Sequence, residues 1–153
     1  MATTATENGA LTVREIEATD ALAVAELSGQ LGYETSAAEM AQRLARILPL
    51  HIGHAAFVAC LDGVVAGWIE AEVANHLQSP PHVLITGLVV KDGVRSLGVG
   101  SRLCAELEAW AKRQGIAVIR VTSRMTRERA HRFYLREGYT QVKTSAVFEK
   151  ALR

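Results

Sequence analysis

The chain has 153 residues, 49% of them hydrophobic and 22% charged, enough to bury roughly two-thirds of its unfolded surface in one core without disulfides or metals, which excludes disorder over most of its length. No apolar stretch approaches the ~20 residues that a bilayer crossing requires, and Thr86 and Gly87 interrupt the apolar run Val83 to Val90, so no membrane partner is expected. The formal net charge of +1 argues against a uniformly basic nucleic-acid binder, yet it hides an asymmetry: residues 1–76 carry a net −7 and residues 77–153 a net +8.

The opening MATTATENGA has neither a basic segment nor an apolar one, so residues 1–10 read as a disordered tail and the protein as cytoplasmic. Leu11 to Ile16 alternates loosely, as an edge strand would. Thr19 or Asp20 then caps a helix through Leu22, Ala25 and Leu27 that Gly32 ends. Ser36 starts a second helix, with Met40, Leu44, Ile47 and Leu48 at helical spacing, and Pro49 stops it. His54 to Leu61 and Val64 to Val73 flank Asp62-Gly63, a strong hairpin signal. Ala74 to Pro81 reads as a loop, because Pro80-Pro81 cannot sit in a central strand, and His82 to Val90 as the next strand.

Lys91 to Gly100 is a glycine-punctuated loop, and Ser101 to Gln114 an amphipathic helix with Leu103, Leu107, Trp110 and Ala111 on one face. Ile116 to Thr122 reads as a strand, Arg127 to Glu137 as a helix, and Tyr139 to Phe148 as a last strand or strand pair. This order, β-α-α-β-β-β-α-β-α-β, predicts one α/β (α+β) domain with a mixed, mostly antiparallel central sheet and helices on both faces. Cys60 and Cys104 stand far apart among apolar neighbours, as reduced buried thiols do.

The segment Leu88 to Ser101 runs from a strand through a glycine turn into a helix, the arrangement that binds phosphate: glycines admit an anion to the backbone amides, and the helix start adds unpaired donors. Arg95 adds a cation. Gly93 and Gly98 have P-loop spacing, but Val99 and Gly100 stand where Lys and Ser or Thr are needed, and Leu103 replaces the third glycine of a dinucleotide fingerprint. The bland alternative is that Gly98 and Gly100 only shape a tight loop; two glycines just before a good helix argue against it.

The pattern Arg95-x-x-Gly98-x-Gly100 after an apolar strand resembles the mark of the GNAT superfamily of acyl-CoA-dependent N-acetyltransferases, and Ala130-His131-Arg132-Phe133-Tyr134 followed by Gly138-Tyr139 resembles its C-terminal motif. The resemblance covers roughly residues 11–152, so 11–153 is read as an N-acetyltransferase domain. It implies that Leu88, Val89 and Val90 pair with the pantetheine arm of acetyl-CoA. It likewise assigns Arg95, Ser96, Leu97, Gly98, Val99, Gly100 and Ser101 to its pyrophosphate, with Ala130 and Phe133 completing the cofactor contacts. Family members often dimerise, so a homodimer is one state the resemblance allows.

Amide formation from a thioester needs a neutral amine and a protonated leaving thiol. Tyr134 resembles the family's general acid, against a structural role as a helix anchor beside Phe133. For the base, alternation places Trp68, Glu70 and Glu72 on one strand face. Glu72 or Glu70 is the candidate, with His82 next; a solvent-facing strand end fits the same pattern. The family's acidic residue early on the following strand is replaced here by His82, Val83, Leu84 and Ile85. His51, His54 and His76 read as loop or strand-end residues, since no partner lies at metal-ligand spacing. Arg120, Arg124, Arg127, Arg129, Arg132 and Arg136 read mostly as a solvated face, some of them reaching the CoA 3′-phosphate.

The reading is therefore acetyl transfer from acetyl-CoA to a primary amine by direct attack, the acceptor being a small cationic amine of aminoglycoside or polyamine type. The alternatives are a protein N-terminus or lysine as acceptor, and a non-catalytic acyl-CoA sensor. An RNA-binding role lacks interleaved aromatics.

Overall fold

The computed structural model describes residues 10–153, so the tail expected over residues 1–10 lies almost wholly outside the described residues. Those residues divide into two units, the first ending at Thr122 and the second spanning Ser123–Arg153.

The first unit is built on a five-stranded sheet in the order β1 (Leu11–Glu15), β2 (His54–Leu61), β3 (Val64–His76), β4 (Ser79–Val90) and β5 (Ile119–Val121). The first four strands are antiparallel neighbours and β5 is parallel to β4, so the sheet is mixed and mostly antiparallel, as expected. Asp62 and Gly63, both at positive φ, make the β2–β3 turn tight. An extra residue, Ala66, then shifts the register from Cys60↔Val65 to Ala59↔Gly67.

Helices cover both faces. On one, α1 (Ala21–Ser28) and α2 (Ala37–Ile47) bury Val24, Ala25, Met40 and Leu44 against Val58 and Cys60, with Trp68 packed beside them. Ser36 caps α2 by accepting from the Glu39 amide at 3.1 Å. On the other, α3 (Val99–Arg113) sets Val99 and Leu103 over Gly67 and buries Leu107 and Trp110. Cys60 and Cys104 are both buried, with no disulfide, and belong to opposite layers of the sheet.

The start of α1 is held by a two-pronged ion pair. Arg14 of β1 donates to both Asp20 carboxylate oxygens at 2.8 Å, and one of these also accepts from the Glu17 amide. The Arg14 guanidinium holds the buried Asp20 carboxyl below its ordinary range, against the opposing effect of burial.

Four expectations are corrected. The loop expected at Ala74 to Pro81 is strand: β3 continues to His76 and β4 begins at Ser79. Pro80 and Pro81 are tolerated because the β3–β4 ladder is irregular there, between Ala74 and His76, and β5 pairs β4 only from Val83 onward. The strand expected over Ile116 to Thr122 shrinks to Ile119–Val121, and α3 starts at Val99, two residues before Ser101. No strand forms over Tyr139 to Phe148 among the described residues. Its apolar side chains Val142, Val147 and Phe148 stand exposed, and apolar character makes a strand only where another backbone completes the ladder.

The second unit holds α4 (Glu128–Arg136), in which the buried Tyr134 makes edge-to-face contacts with Phe133 and Tyr139, each with ring centroids 5.5 Å apart. The Tyr139 amide donates to the Tyr134 carbonyl at 2.9 Å and closes the helix.

Candidate active site

Two parts of the first unit come together around β4. The first is its C-terminal half. β5 pairs with β4 only through Val83, Leu84 and Ile85, so from Thr86 to Val90 the β5-side edge of β4 has no ladder partner among the described residues. Along that edge alternate residues of the Leu88–Val90 stretch turn their backbone donors and acceptors toward an extended guest. Their other edge is paired with β3 through Ile69↔Leu88, Trp68↔Val89 and Gly67↔Val90.

The open edge leads into the glycine loop. Arg95–Leu97 forms one 3-10 turn, Gly98 takes the left-handed conformation at φ 78°, and α3 begins at Val99. A Cβ at Gly98 would meet nothing within 4 Å, so the requirement for glycine is conformational and leaves space in front of the loop. The Arg102 amide donates to the Gly98 carbonyl at 3.0 Å and closes the first helical turn. The earlier amides of a helix have no intrahelical acceptor and carry its positive end. Arg95 is not a bare cation: Asp92 pairs with it at 2.6 Å on the surface. The loop is tied to the turn after α1 by the Asp92 amide, which donates to the Gln30 side chain at 3.1 Å.

The second part is polar and sits at the upstream end of that open edge. Across β3 and β4 the register slips between Glu70 and Ala71, so that Glu70 lies opposite Gly87 and Ala71 opposite Ile85, leaving Thr86 as the extra residue. Thr86 donates to Glu70 Oε1 at 3.1 Å, and His54 Nε2 contacts Oε2 at 2.9 Å. The His54 and Glu70 side chains are mostly buried, 13% and 26% exposed. Glu72, two residues on, faces His54 across the ladder but is exposed. The Trp68 ring lies over Gly87, where a Cβ would come within 2.5 Å of the indole, and its Nε1 is buried without a hydrogen-bond partner among the described residues. A cleft of about 120 Å³ opens beside His54, lined also by Glu15, Ile16, Leu48, His51 and Trp110.

Of the residues expected from sequence, the structure places Leu88–Val90 and Arg95–Ser101 in one continuous path and Glu70 at its upstream end. Glu72 stands outside the polar cluster. His82 is buried and points its Nδ1 at the Pro80 carbonyl, 3.3 Å away, with its ring edge-on to His76. Ala130, Phe133 and Tyr134 lie on α4 in the second unit. Sequence reading missed His54, which it placed at a strand end; the cross-strand partner appears only once the β2–β3 register is known. Among the described residues no group of three or more His, Cys, Asp or Glu could hold a metal ion, and no helix is long and apolar enough to cross a membrane.

A strand with one open edge feeding a glycine-capped helix has the geometry to take an extended guest along the sheet and an anion at the helix start. Residues 22–139 match the model of the acetyltransferase (GNAT) family, and the chain belongs to that family. It is 36% identical over 96 residues to the aminoalkylphosphonate N-acetyltransferase of Salmonella typhimurium, covering 62% of this chain and 61% of that protein, so the match spans about three-fifths of that relative. It is 28% identical over 146 residues to an aminoglycoside N(6′)-acetyltransferase type 1 of Stenotrophomonas maltophilia, covering 92% and 94% of the two chains. Among solved structures, the aminoglycoside N-acetyltransferase AAC(6′)-Iy in complex with CoA superposes with a TM-score of 0.82 over 95% of this chain and 98% of that one; at 20% identity this is a likeness of fold.

Proposed function

We propose that this protein transfers an acetyl group from acetyl-CoA to a primary amine by direct attack. The observation that carries the reading is the open β4 edge from Thr86 to Val90 running straight into the Gly98 cap of α3. The pantetheine arm pairs with Leu88–Val90 as an added strand, and the pyrophosphate sits on the loop Arg95–Ser101, where the first α3 amides and the helix dipole favour an anion. The arm then runs back along β4, which brings the thioester to the level of Gly87 and Glu70. Glu70 is the base that takes the ammonium proton, and Tyr134, by its place in the C-terminal motif, protonates the departing thiolate. The orphan indole N–H of Trp68, on the same strand face as Glu70, would gain an acceptor from a bound guest.

The acceptor proposed is a small cationic amine. The described residues that line the cleft include Glu15, His51 and His54 and no Lys or Arg, and Glu70 and Glu72 add negative charge next to it. A second reading, an aminoalkylphosphonate acceptor, is favoured by the 36% identical relative. Release of free thiol from acetyl-CoA, measured across polyamines, aminoglycosides, aminoalkylphosphonates and lysine peptides, separates these. The highest kcat/KM falls on a polycationic amine; a clear preference for a phosphonate-bearing or peptide acceptor would overturn the acceptor assignment.

A further inference from the structure

An alkylammonium acceptor must lose a proton before it attacks, and the carboxylate that takes it must release it again before the next turnover. Resting on the acetyl-transfer reading above, we propose that His54 is the positioning residue of this step: it orients Glu70 and passes the amine's proton from that carboxylate to the open cleft.

The geometry is specific. His54 Nε2 lies 2.9 Å from Glu70 Oε2 while Thr86 occupies Oε1 at 3.1 Å, so the carboxylate is clamped from both neighbouring strands. A carboxylate has about four acceptor directions, and two of them remain for the incoming ammonium. The clamp sits beside Gly87, at the thioester end of the arm's path. His54 is also the one member of the cluster that lines the cleft, so a proton reaching its ring has a way out to water. Deleting His54 would leave Glu70 half-buried with a proton and no mobile carrier beside it.

The step balances as follows. The ammonium gives a proton to Glu70. At rest the His54 ring donates Nε2–H to Oε2; once Glu70 holds the amine's proton, the ring exchanges through cleft water to the Nδ1–H tautomer, Nε2 takes the proton from Glu70, and Nδ1 releases its own to water, which restores the Nε2–H donor. The freed amine forms the C–N bond as the C–S bond breaks, and the thiolate is protonated by Tyr134. The titratable groups facing His54 are Glu70 and Glu72 from β3, with Glu15 and His51 lining the same cleft. Neither Glu15 nor His51 appears among the hydrogen-bond partners of Glu70, which are His54 and Thr86.

The test uses the full chain, acetyl-CoA and the best amine found by thiol release, with kcat/KM for that amine measured between pH 6 and the alkylammonium range near ~10. His54→Gln should lose about 10- to 100-fold at pH 7, with the KM for acetyl-CoA unchanged. The deficit should shrink as pH rises and the amine arrives already neutral. Added imidazole should restore part of the rate to His54→Gly, which guards against a variant that is merely misfolded. A loss equal at every pH with no rescue, or no loss at all, would overturn the role of His54 while leaving acetyl transfer intact. No thiol release by the wild-type chain with any amine would instead overturn the acetyl-transfer reading, and this role with it.

Discussion

Thr86 on β4 donates a hydrogen bond to Glu70 on β3 where the ladder between the two strands slips by one residue. The slip is what makes the contact. In a regular antiparallel ladder, successive side chains alternate between faces, but the bulge turns Thr86 toward the face that carries Glu70 and leaves Gly87 directly opposite it. Glu70→Gln should therefore lower kcat by about 100-fold or more, because an amide cannot take the proton. Thr86→Val, which keeps the shape and removes the donor, should cost less, about tenfold, by loosening the carboxylate. Equal kcat in Glu70→Gln and wild type would remove Glu70 from the chemistry.

Gly87 is needed for space. A Cβ there would lie within 2.5 Å of the Trp68 ring, so Gly87→Ala must push the indole aside. Overpacking of this kind costs about 1–3 kcal/mol. Urea unfolding should show that loss, and tryptophan fluorescence, which reports Trp68 and Trp110 together, should change in the native state. An unchanged emission spectrum and unfolding midpoint would mean that the ring is not seated over Gly87.

At Gly98 the demand is different, since the site is roomy and only the positive φ excludes other residues. Gly98→Ala should cost about 1–2 kcal/mol of strain and weaken CoA binding as the first turn of α3 shifts, while leaving amine-dependent steps untouched at saturating acetyl-CoA. Calorimetric titration with CoA checks the first part and saturation kinetics the second.

The Arg14–Asp20 pair sets a pH dependence whose sign follows from its shift. Asp20 titrates below its unfolded value of ~3.9, so its contribution to stability is present in full above that pH and is lost as pH falls through the lower folded value. Asp20→Asn should reduce stability at pH 7 by about 1–3 kcal/mol, and the gap from wild type should narrow as pH drops below about 4. Urea unfolding at a series of acid pH values measures it; a gap that widens on acidification would contradict the assignment.

Much of this was legible in the chain because local signals agreed with the fold. Asp62-Gly63 marked the hairpin, Ser36 and Pro49 bounded α2, and Gly98 before an amphipathic run marked the loop and α3. What escaped was register. Counting outward from the Asp62-Gly63 turn pairs His54 with Ala71, which would set the imidazole on the sheet face away from Glu70. The extra residue Ala66 moves the partner to Glu72 and brings His54 onto the carboxylate face. No residue type announces that bulge. For the same reason Glu70 and Glu72 were equivalent by alternation, and only the two bulges together give Glu70 its partners, His54 through Ala66 and Thr86 through the slip in β4, while Glu72 stays exposed. Pro80 and Pro81 misled in the opposite direction: they break central strands, but here they occupy the end of β4 before β5 begins to pair.

Acetyl transfer to an amine can be read in a single experiment, mass spectrometry of a reaction containing the chain, acetyl-CoA and a polyamine. Mono-acetylated amine and free CoA should appear in equal amounts, with neither formed when the chain is omitted. CoA bound tightly by the protein with no acetylated product from any amine offered would contradict it.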